Sequence, residues 1–475
     1  MDVDRLRSVW RRIFALAWPV MAEQTTRTLM RTVDILVTAA LSPAAVVAIG
    51  LADLFARFPL RIGLGLGGGA IALSSQDTGS GADANRDESV SQSLVLGFLI
   101  GLPFVALGVF AGPALVGLFP ASDDAVRLGG AYLAIVFATA PARLLAIIGA
   151  RALQGIGDTA TPMYVNVFVN VVNVALSVGL GFGLLFLPAL GVRGVAFGTA
   201  TANVLSAGLL LAAIYRPASP LSATRPTDPT VALQLVRVGL PRTAEGVISE
   251  LAEFPFNALL LSLGPTAGAA ASAGGAAPGD VVNAGFQVGR RVYQQVTGPL
   301  SRGYNIAASV LVGQALGRSD PATARYEGWA TAALALLSVG GIGGLLVAFA
   351  DSVVAVIGFG SSPDALAYAA AFAVVYGLSA PGLALFSTLS GALQGAGETR
   401  LPFYARTTGM FGFFVGFSYV AVEFTAFGLT GVYAGVVLAH VWMGAVMVLA
   451  FRDADWAGTA AGLLRERGSV AADEE

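Results

Sequence analysis

The sequence ALQGIGDTATPMY at residues 152–164 recurs as ALQGAGETRLPFY at residues 392–404. Eight of the thirteen positions are identical at a constant offset of 240. Agreement of this length indicates an internal duplication, so the chain is expected to consist of two related halves.

The repeated motif has the composition of a tight corner between two helices. Gly155 and Gly157 suit a helix end because glycine readily adopts positive φ. Asp158 and Thr159 can cap the amides of the next helix. Pro162 suits a first helical turn, where its missing N–H costs little. The motif therefore predicts a packing corner that occurs once in each half.

Composition places the chain in a membrane. Of the 475 residues, 56% are hydrophobic and 12% charged, with a mean hydropathy of +0.75. Soluble domains carry about 25% charged residues. Apolar segments of about 20 residues or more recur throughout, and each can cross about 30 Å of hydrocarbon as a helix. The predicted fold is therefore an all-α integral membrane protein.

Residue types that are absent exclude several kinds of chemistry. All 27 basic residues are arginine, so the glycine-rich stretch at residues 63–70 cannot be a P-loop with its lysine. The sequence has no cysteine, which excludes disulfides and thiolate catalysis. A single histidine, His440, leaves no pair for a metal site. We expect no cofactor, no metal and no nucleic-acid partner, and we do not expect the protein to be an enzyme.

Charged and turn-forming breaks divide the chain into twelve predicted spans. Six spans per half is an even number, so the halves enter the membrane in the same orientation and form two parallel six-helix repeats. The predicted divisions are an N-terminal six-helix half at 1–220, a cytoplasmic linker at 221–231, a C-terminal six-helix half at 232–455 and a tail at 456–475. The predicted spans are 13–40, 44–74, 90–118, 125–152, 161–188, 193–215, 232–263, 281–316, 325–356, 364–393, 402–425 and 430–451.

Arginines follow every second span and are scarce in the alternate loops. By the positive-inside rule, both termini and the repeated motif are predicted to be cytoplasmic. The second half also contains a Gly/Ala-rich insertion at 268–280, which lengthens the spacing between its first two spans. The segment after Asp455 has mixed charge, and we expect a mobile or interfacial tail.

Ionisable side chains within the spans are the functional candidates, because each costs at least about 2.5 kcal/mol in hydrocarbon unless it faces protein or water. On span 1, Glu23, Arg27, Arg31 and Asp34 lie within about 80° of one helical face. This stripe is either an internally neutralised ladder that permits insertion or a functional surface with Asp34 deepest.

Further polar groups occur on spans 2, 5, 7 and 8. Carboxylates of one half are expected to pair with arginines of the other. On span 5, amides recur at helical spacing and can either bind a cation or join helices. The candidates on these spans are Asp53, Arg57, Asn166, Asn170, Asn173, Glu250, Glu253, Gln287 and Arg291.

The residues now described resemble the multidrug and toxic compound extrusion (MATE) family, most closely its DinF-like branch. The resemblance extends from WPVMAEQ in span 1 through the paired ALQGxG(D/E)T motifs to span 12. It implies twelve helices in two bundles around a V-shaped cleft in a prokaryotic cell membrane. It also implies a monomer that exports small organic substrates by antiport with H+ or Na+.

The resemblance also assigns site residues. Asp34 matches the family's coupling aspartate on the first helix, and Asn173, one turn beyond Asn170, matches its asparagine on the fifth. The branch has an aspartate four residues later, where this chain has Ser177. Asp34 therefore acts alone or with another partner. Burial would favour its neutral form, whereas Arg27 and Arg31 favour the carboxylate. Glu250 or Glu253 falls near a glutamate used by another branch.

Other functions remain to be compared with drug export. A flippase for lipid-linked precursors, or an exporter of anionic metabolites, would suit the clustered arginines. A net positive potential in the cleft near the membrane midplane would favour that alternative, and a net negative one would favour cation export. An intramembrane hydrolase is disfavoured because His440 has no GxSxG partner, and a passive channel is disfavoured by the duplicated architecture.

Overall fold

A computed structural model describes residues 3–264, 277–357 and 362–468, and these ranges contain helices and no strands. Most of the predicted insertion at 268–280 lies outside them. The helices are α1 (Val3–Leu41), α2 (Pro43–Ser80), α3 (Asp83–Val116), α4 (Asp123–Ala138), α5 (Ala140–Gly155), α6 (Ala160–Phe182), α7 (Val192–Ile214), α8 (Pro229–Leu261), α9 (Pro278–Gly317), α10 (Pro321–Ala348), α11 (Ala350–Ile357), α12 (Pro363–Gly395), α13 (Arg400–Thr408), a π-helical segment (Gly409–Phe417), α14 (Ser418–Phe424), α15 (Gly428–Asp453) and α16 (Trp456–Glu466).

Each of the twelve predicted spans corresponds to one helix or to consecutive helical segments. Within the described ranges, eight helical spans are long and apolar enough to cross a membrane, and the bent pair α4–α5 adds a ninth. The other three are α1, α8 and α9, which have 39, 33 and 40 residues and carry charged side chains. The predicted all-helical membrane fold is confirmed.

The fourth and eleventh spans are less regular than the sequence predicts. The fourth span bends by 52° between α4 and α5, where Thr139 leaves helical geometry and Pro141 stands in the first turn of α5. Proline provides no N–H to continue the helix, which explains the break. The eleventh span widens into π-helical turns over the glycine- and phenylalanine-rich segment Gly409–Phe417.

The repeated motif forms the predicted corner in both halves. Gly157 and Gly397 have φ of 94° and 81°, which are accessible to glycine at little cost. Asp158 Oδ1 accepts from the Thr161 amide at 2.9 Å, as expected of a cap. Thr159 forms no side-chain cap bond.

Gly155 stays helical instead of adopting the positive φ that the sequence allowed, and its role is close packing. A Cβ at Gly155 would overlap the hydroxyl of Ser74, so α5 approaches α2 more closely there than a larger residue would permit. The motif is therefore the packing corner that the sequence predicts.

The chain forms two compact units that divide the first helix of each sequence half. The division falls after Met21 in α1 and after Thr243 in α8, two residues beyond the corresponding prolines Pro19 and Pro241. The predicted halves concern ancestry rather than compactness, so their boundaries stay a prediction. Unit 1 contains the described parts of Met1–Met21, Ala244–Val312 and Asp320–Thr459, and unit 2 those of Ala22–Thr243, Gly313–Ser319 and Ala460–Glu475.

Unit 1 is centred on aromatic side chains. Phe256 and Phe414 stack with ring centroids 3.9 Å apart, and Phe286 meets Phe372 edge to face at 5.2 Å. Phe256, Phe286 and Phe372 are completely buried. Offset and edge-to-face rings add stability beyond the area that they bury.

Unit 2 has a hydrophobic cluster, here called the α1–α2–α4 cluster, which also includes residues of α7. Helices approach closely here because Gly129 on α4 faces the backbone carbonyl of Ala48 on α2. This cluster surrounds the candidate site described below. Its fully or nearly buried members are Val37, Ala45, Ala52, Ala56, Val116, Tyr132, Leu133, Val136, Phe137, Val192, Val195 and Ala196.

The segment between α7 and α8 is not helical and is held against α3. Glu88 accepts from the amides of Thr227 and Asp228 at 2.6 and 3.0 Å. Gln92 Nε2 donates to the Asp228 carbonyl at 2.6 Å. The proline-rich sequence prevents helix formation, while side chains of α3 satisfy the linker backbone.

The segment after Asp455 differs from the mobile or interfacial tail that we expected. Helix α16 packs through Trp456, whose indole stacks on Phe451 at 4.8 Å and whose Nε1 donates to the Phe451 carbonyl at 2.8 Å. Beyond it, the guanidinium of Arg467 is completely buried against Asp77. The described part of the tail is therefore integrated into the fold.

Candidate ion and substrate sites

Asp34 lies on α1 beside the α1–α2–α4 cluster, between its members Val33 and Val37. Its Oδ1 atom is buried and has no hydrogen-bond partner among the described residues. A buried carboxylate oxygen without a partner is costly. An added proton or cation would supply the missing interaction.

Of the α6 residues predicted to join Asp34, Ser177 lies at a similar depth. A Cβ at Gly181 on α6 would be 3.8 Å from Val37 Cγ1 on α1. These helices are the first and fifth spans, so they cross the membrane in the same direction. One helical turn back from this contact are Asp34 on α1 and Ser177 on α6.

Ser177 and Asn173 are hydrogen-bonded to each other. Ser177 Oγ donates to Asn173 Oδ1 at 2.9 Å, and both side chains are buried. Asn170 Nδ2, in the preceding turn, is buried without a partner among the described residues. Asn166 instead donates to the Pro162 carbonyl of its own helix at 2.9 Å. Ser177, four residues after Asn173, therefore orients the amide of Asn173.

Three residues that the sequence did not single out, on α4, α5 and α7, also belong to the candidate site. Tyr132 on α4 lies within electrostatic range of Asp34 and Asp53 and is hydrogen-bonded to Thr199 on α7. Arg143 on α5 lies within range of Asp53 and Tyr132. Arg143 could have been found from sequence, because it is an ionisable residue inside an apolar span. Tyrosine and threonine are common in such spans and gave no signal.

The rest of the predicted stripe on α1 divides into two parts. Glu23 pairs with Arg27 at 3.1 Å, as in the neutralised-ladder interpretation, although Glu23 Oε2 has no hydrogen-bond partner among the described residues. Arg31 is exposed and lies within range of Asp53 and Arg57, which are also exposed. Asp34 is thus separate from the Glu23–Arg27 pair.

The candidates of α8 and α9 form a second polar cluster, within unit 1. Glu253 pairs with Arg290. Arg290 also donates to Gln287 Oε1 at 3.1 Å, and Gln287 Nε2 donates to Asn257 Oδ1 at 2.8 Å. The pairing of Glu253 with Arg290 of its own unit differs from our expectation that carboxylates pair with arginines of the other half.

A second carboxylate of α8 also has its partner in unit 1. Glu245 lies 3.4 Å from Arg406 of α13, whose guanidinium covers the ring of Phe386 at 4.2 Å. Glu250 is half-buried and Arg291 exposed. These contacts are charge-neutralising, so the unpartnered oxygen of Asp34 makes unit 2 the stronger candidate for ion binding.

No group of three or more His, Cys, Asp or Glu residues in the described ranges has the arrangement of a resident metal site. The candidate oxygen atoms of Asp34, Asn173, Ser177 and Tyr132 belong instead to a carboxylate, an amide and hydroxyl groups. This donor set fits a proton on Asp34 or a sodium ion, since hard cations prefer oxygen ligands.

Comparisons with known proteins identify the family model and the relatives that this chain resembles. The MatE family model matches residues 19–178 and again residues 269–420. A "Probable multidrug resistance protein NorM" of Bradyrhizobium diazoefficiens is 27% identical over 456 residues, which is 92% of each chain. "Multidrug resistance protein PmpM" of Pseudomonas aeruginosa is 26% identical over 406 residues, covering 84% of this chain and 80% of that protein.

Solved structures share the fold at 21% identity. One is described as the outward-facing conformation of a multidrug resistance MATE family transporter of the MOP superfamily, with a TM-score of 0.84 and coverage of 96% of both chains. Another, from Pyrococcus furiosus, is a MOP superfamily transporter whose reversed binding-pocket polarity is said to suggest a different function. Its TM-score is 0.83, with coverage of 95% of this chain and 96% of that one.

Proposed function

The chain belongs to the MatE family of membrane transporters, and from this premise we propose that it exports small organic compounds in exchange for a cation, H+ or Na+, that binds at Asp34. The names of its relatives supply the substrate class. The observation that carries the coupling proposal is the buried Oδ1 of Asp34, which has no hydrogen-bond partner among the described residues.

The proposed mechanism couples cation binding to the packing of α1. With the site empty, Asp34 is an ionised carboxylate beside apolar side chains. A bound proton or Na+ neutralises it, which lowers the cost of packing α1 against its neighbours. Because cation and substrate would favour different arrangements of the transporter, uptake of one promotes release of the other.

The test is gradient-driven transport in proteoliposomes with imposed pH or sodium gradients. We expect Asp34→Asn to reduce gradient-driven transport at least about tenfold, because it removes the charge that binds the cation. Counterflow of labelled against unlabelled substrate should continue without a gradient. Asp124→Asn is the matched control, since Asp124 is exposed and pairs with Arg127 at 2.9 Å. Undiminished coupling in Asp34→Asn would refute the proposal.

A second candidate substrate class is supported by the charge balance. In unit 2, the carboxylates of Glu23, Asp34 and Asp53 are outnumbered by Arg27, Arg31, Arg57, Arg61 and Arg143. Such a surface would stabilise a carboxylate or phosphate better than an organic cation. The Pyrococcus furiosus structure indicates that pocket polarity varies within this fold.

A comparison of transported dyes distinguishes the substrate classes. Labelled ethidium, a neutral dye and an anionic dye would each be tested for transport by the same vesicles. Preference for the anion would favour anionic metabolites or lipid-linked phosphates as substrates. Preference for ethidium would support cation export.

A further inference from the structure

Asp34 has a carboxylate neighbour on the next helix. Asp53 on α2 lies within electrostatic range of Asp34, and Arg31 lies within range of both. Asp53 is exposed, whereas Asp34 has a buried oxygen without a partner. Arg31 therefore interacts electrostatically with two carboxylates whose surroundings differ.

The α1–α2 hairpin explains why these residues meet. Helix α1 ends at Leu41 and α2 begins at Pro43. At 1.5 Å per residue, Asp34 lies about 11 Å and Asp53 about 15 Å from this turn, a difference of less than one helical turn. The two carboxylates are therefore near the same depth.

The α1–α2–α4 cluster holds both carboxylates in place. Val37, one turn after Asp34, and Ala52, directly before Asp53, belong to this cluster, as does Tyr132. Their helices are consequently fixed around the two acids. The proximity follows from packed helices rather than from flexible side chains alone.

The charged and titratable groups around the pair come from four helices. Arg31 belongs to α1, Arg57 to α2, Tyr132 to α4 and Arg143 to α5. Arg143 donates to the carbonyl of Ala56 at 3.4 Å, which joins α5 to α2 one turn below Asp53. Positive charge beside Asp53 is therefore built into the helix packing.

We propose that Asp53 is a second carboxylate of the coupling site and that Arg31 is shared between Asp53 and Asp34. This inference rests on the proposed function, since it needs a cation that binds at Asp34. When the cation binds, it neutralises Asp34 and leaves Arg31 balanced by Asp53. When the cation leaves, Asp34 and Asp53 share Arg31, so neither state contains an isolated charge.

Substitutions of Asp53 and of Arg31 should shift the apparent cation affinity in opposite directions. Loss of a merely structural contact would not produce opposite shifts. Asp53→Asn removes a negative charge beside the cation, so the apparent affinity for the coupling cation should fall on the order of tenfold. Arg31→Gln removes a positive charge and should raise that affinity by a similar factor. Asp53→Glu should restore the unchanged protein's affinity.

The measurement is the concentration of H+ or Na+ that gives half-maximal gradient-driven transport. Asp124→Asn should leave it unchanged. Thermal unfolding of each variant identifies loss of folding, and Arg31→Gln gives an independent reading if Asp53→Asn does not fold. A shift in the same direction for both variants, or no shift in either, would overturn the inference.

The design separates this inference from the function on which it rests. Abolished coupling in Asp34→Asn with unchanged cation affinity in Asp53→Asn and Arg31→Gln would overturn the shared-arginine arrangement alone. Net substrate transport by the unchanged protein that does not respond to an imposed H+ or Na+ gradient would overturn the proposed function and this inference with it.

Discussion

The buried ion pair between Arg467 and Asp77 makes the end of the described chain necessary for the stability of unit 2. Arg467 Nε donates to Asp77 Oδ1 at 2.8 Å, and both side chains are fully buried. Its other nitrogens donate to Gln76 Oε1 at 2.9 Å and to Gln234 Oε1 at 3.2 Å. The backbone carbonyl of Arg467 accepts from Asn85 at 2.8 Å. One residue thus joins α2, α3 and α8.

Replacing Arg467 with alanine leaves Asp77 buried without its cation. Breaking such a pair costs about 3–5 kcal/mol. At about 2–4 °C per kcal/mol for a unit of this size, the melting temperature should fall by about 6–20 °C. Thermal unfolding in detergent, followed by size-exclusion chromatography with fluorescence detection, measures the shift.

Matched controls are available on the same segment. Arg465→Ala removes an exposed arginine from α16 and should change stability by less than about 0.5 kcal/mol. A chain ending after Glu466 should lose at least as much stability as Arg467→Ala, because it also lacks the carbonyl that accepts from Asn85. Replacing both charges, as Asp77→Asn with Arg467→Met, should recover much of the loss. Equal melting temperatures for Arg467→Ala and Arg465→Ala would refute this reasoning.

Two further predictions concern the corner and the topology. Gly155→Val should destabilise the protein by about 1–3 kcal/mol because its side chain would overlap Ser74. Gly50→Val, at a position with open space, is the control for the same melting measurement. Equal losses of stability in the two variants would contradict the packing role of Gly155. Because the chain has no cysteine, Ser219→Cys and Ser122→Cys can be labelled without background. Cytoplasmic termini predict that an impermeant maleimide added outside cells reacts at position 122 and not at 219, and the reverse pattern would invert the topology.

Span positions could be predicted because membrane insertion depends on local hydrophobicity, which the sequence displays directly. The bend at Thr139 and the π-helical turns of Gly409–Phe417 could not, since each depends on how a helix packs against its neighbours. The integration of α16 was also missed. A mixed-charge tail looks interfacial until Arg467 is seen to meet Asp77, which is 390 residues earlier.

The site was partly predictable for the same reason. Asp34 stood out because a carboxylate in an apolar span is costly wherever it points. Its relation to Asp53 required the hairpin geometry, and the contribution of Tyr132 required α4 to pack on α2. The sequence therefore identified the carboxylate that is costly to place in an apolar span. The groups that interact with this carboxylate could be identified only from the tertiary structure.

Comparison of the two halves explains where the chemistry can reside. The offset that relates Pro19 to Pro241 places Phe256 at the position of Asp34, and the offset of 240 places Phe372 at that of Tyr132. Both phenylalanines are completely buried in the aromatic core of unit 1.

The other site residues of unit 2 are also replaced at the corresponding positions of unit 1. The offset of 240 places Leu383 at the position of Arg143 and Phe413 at that of Asn173, and the offset that relates Gln76 to Gln314 places Arg291 at that of Asp53. Unit 1 thus has apolar side chains at the positions of Asp34, Tyr132, Arg143 and Asn173, and an exposed arginine at that of Asp53. Duplication supplied two similar scaffolds with the same corners, but an aromatic core cannot hold a desolvated cation through oxygen ligands. We therefore expect cation coupling of the proposed kind to use one site per chain, in unit 2, with one transported cation per Asp34.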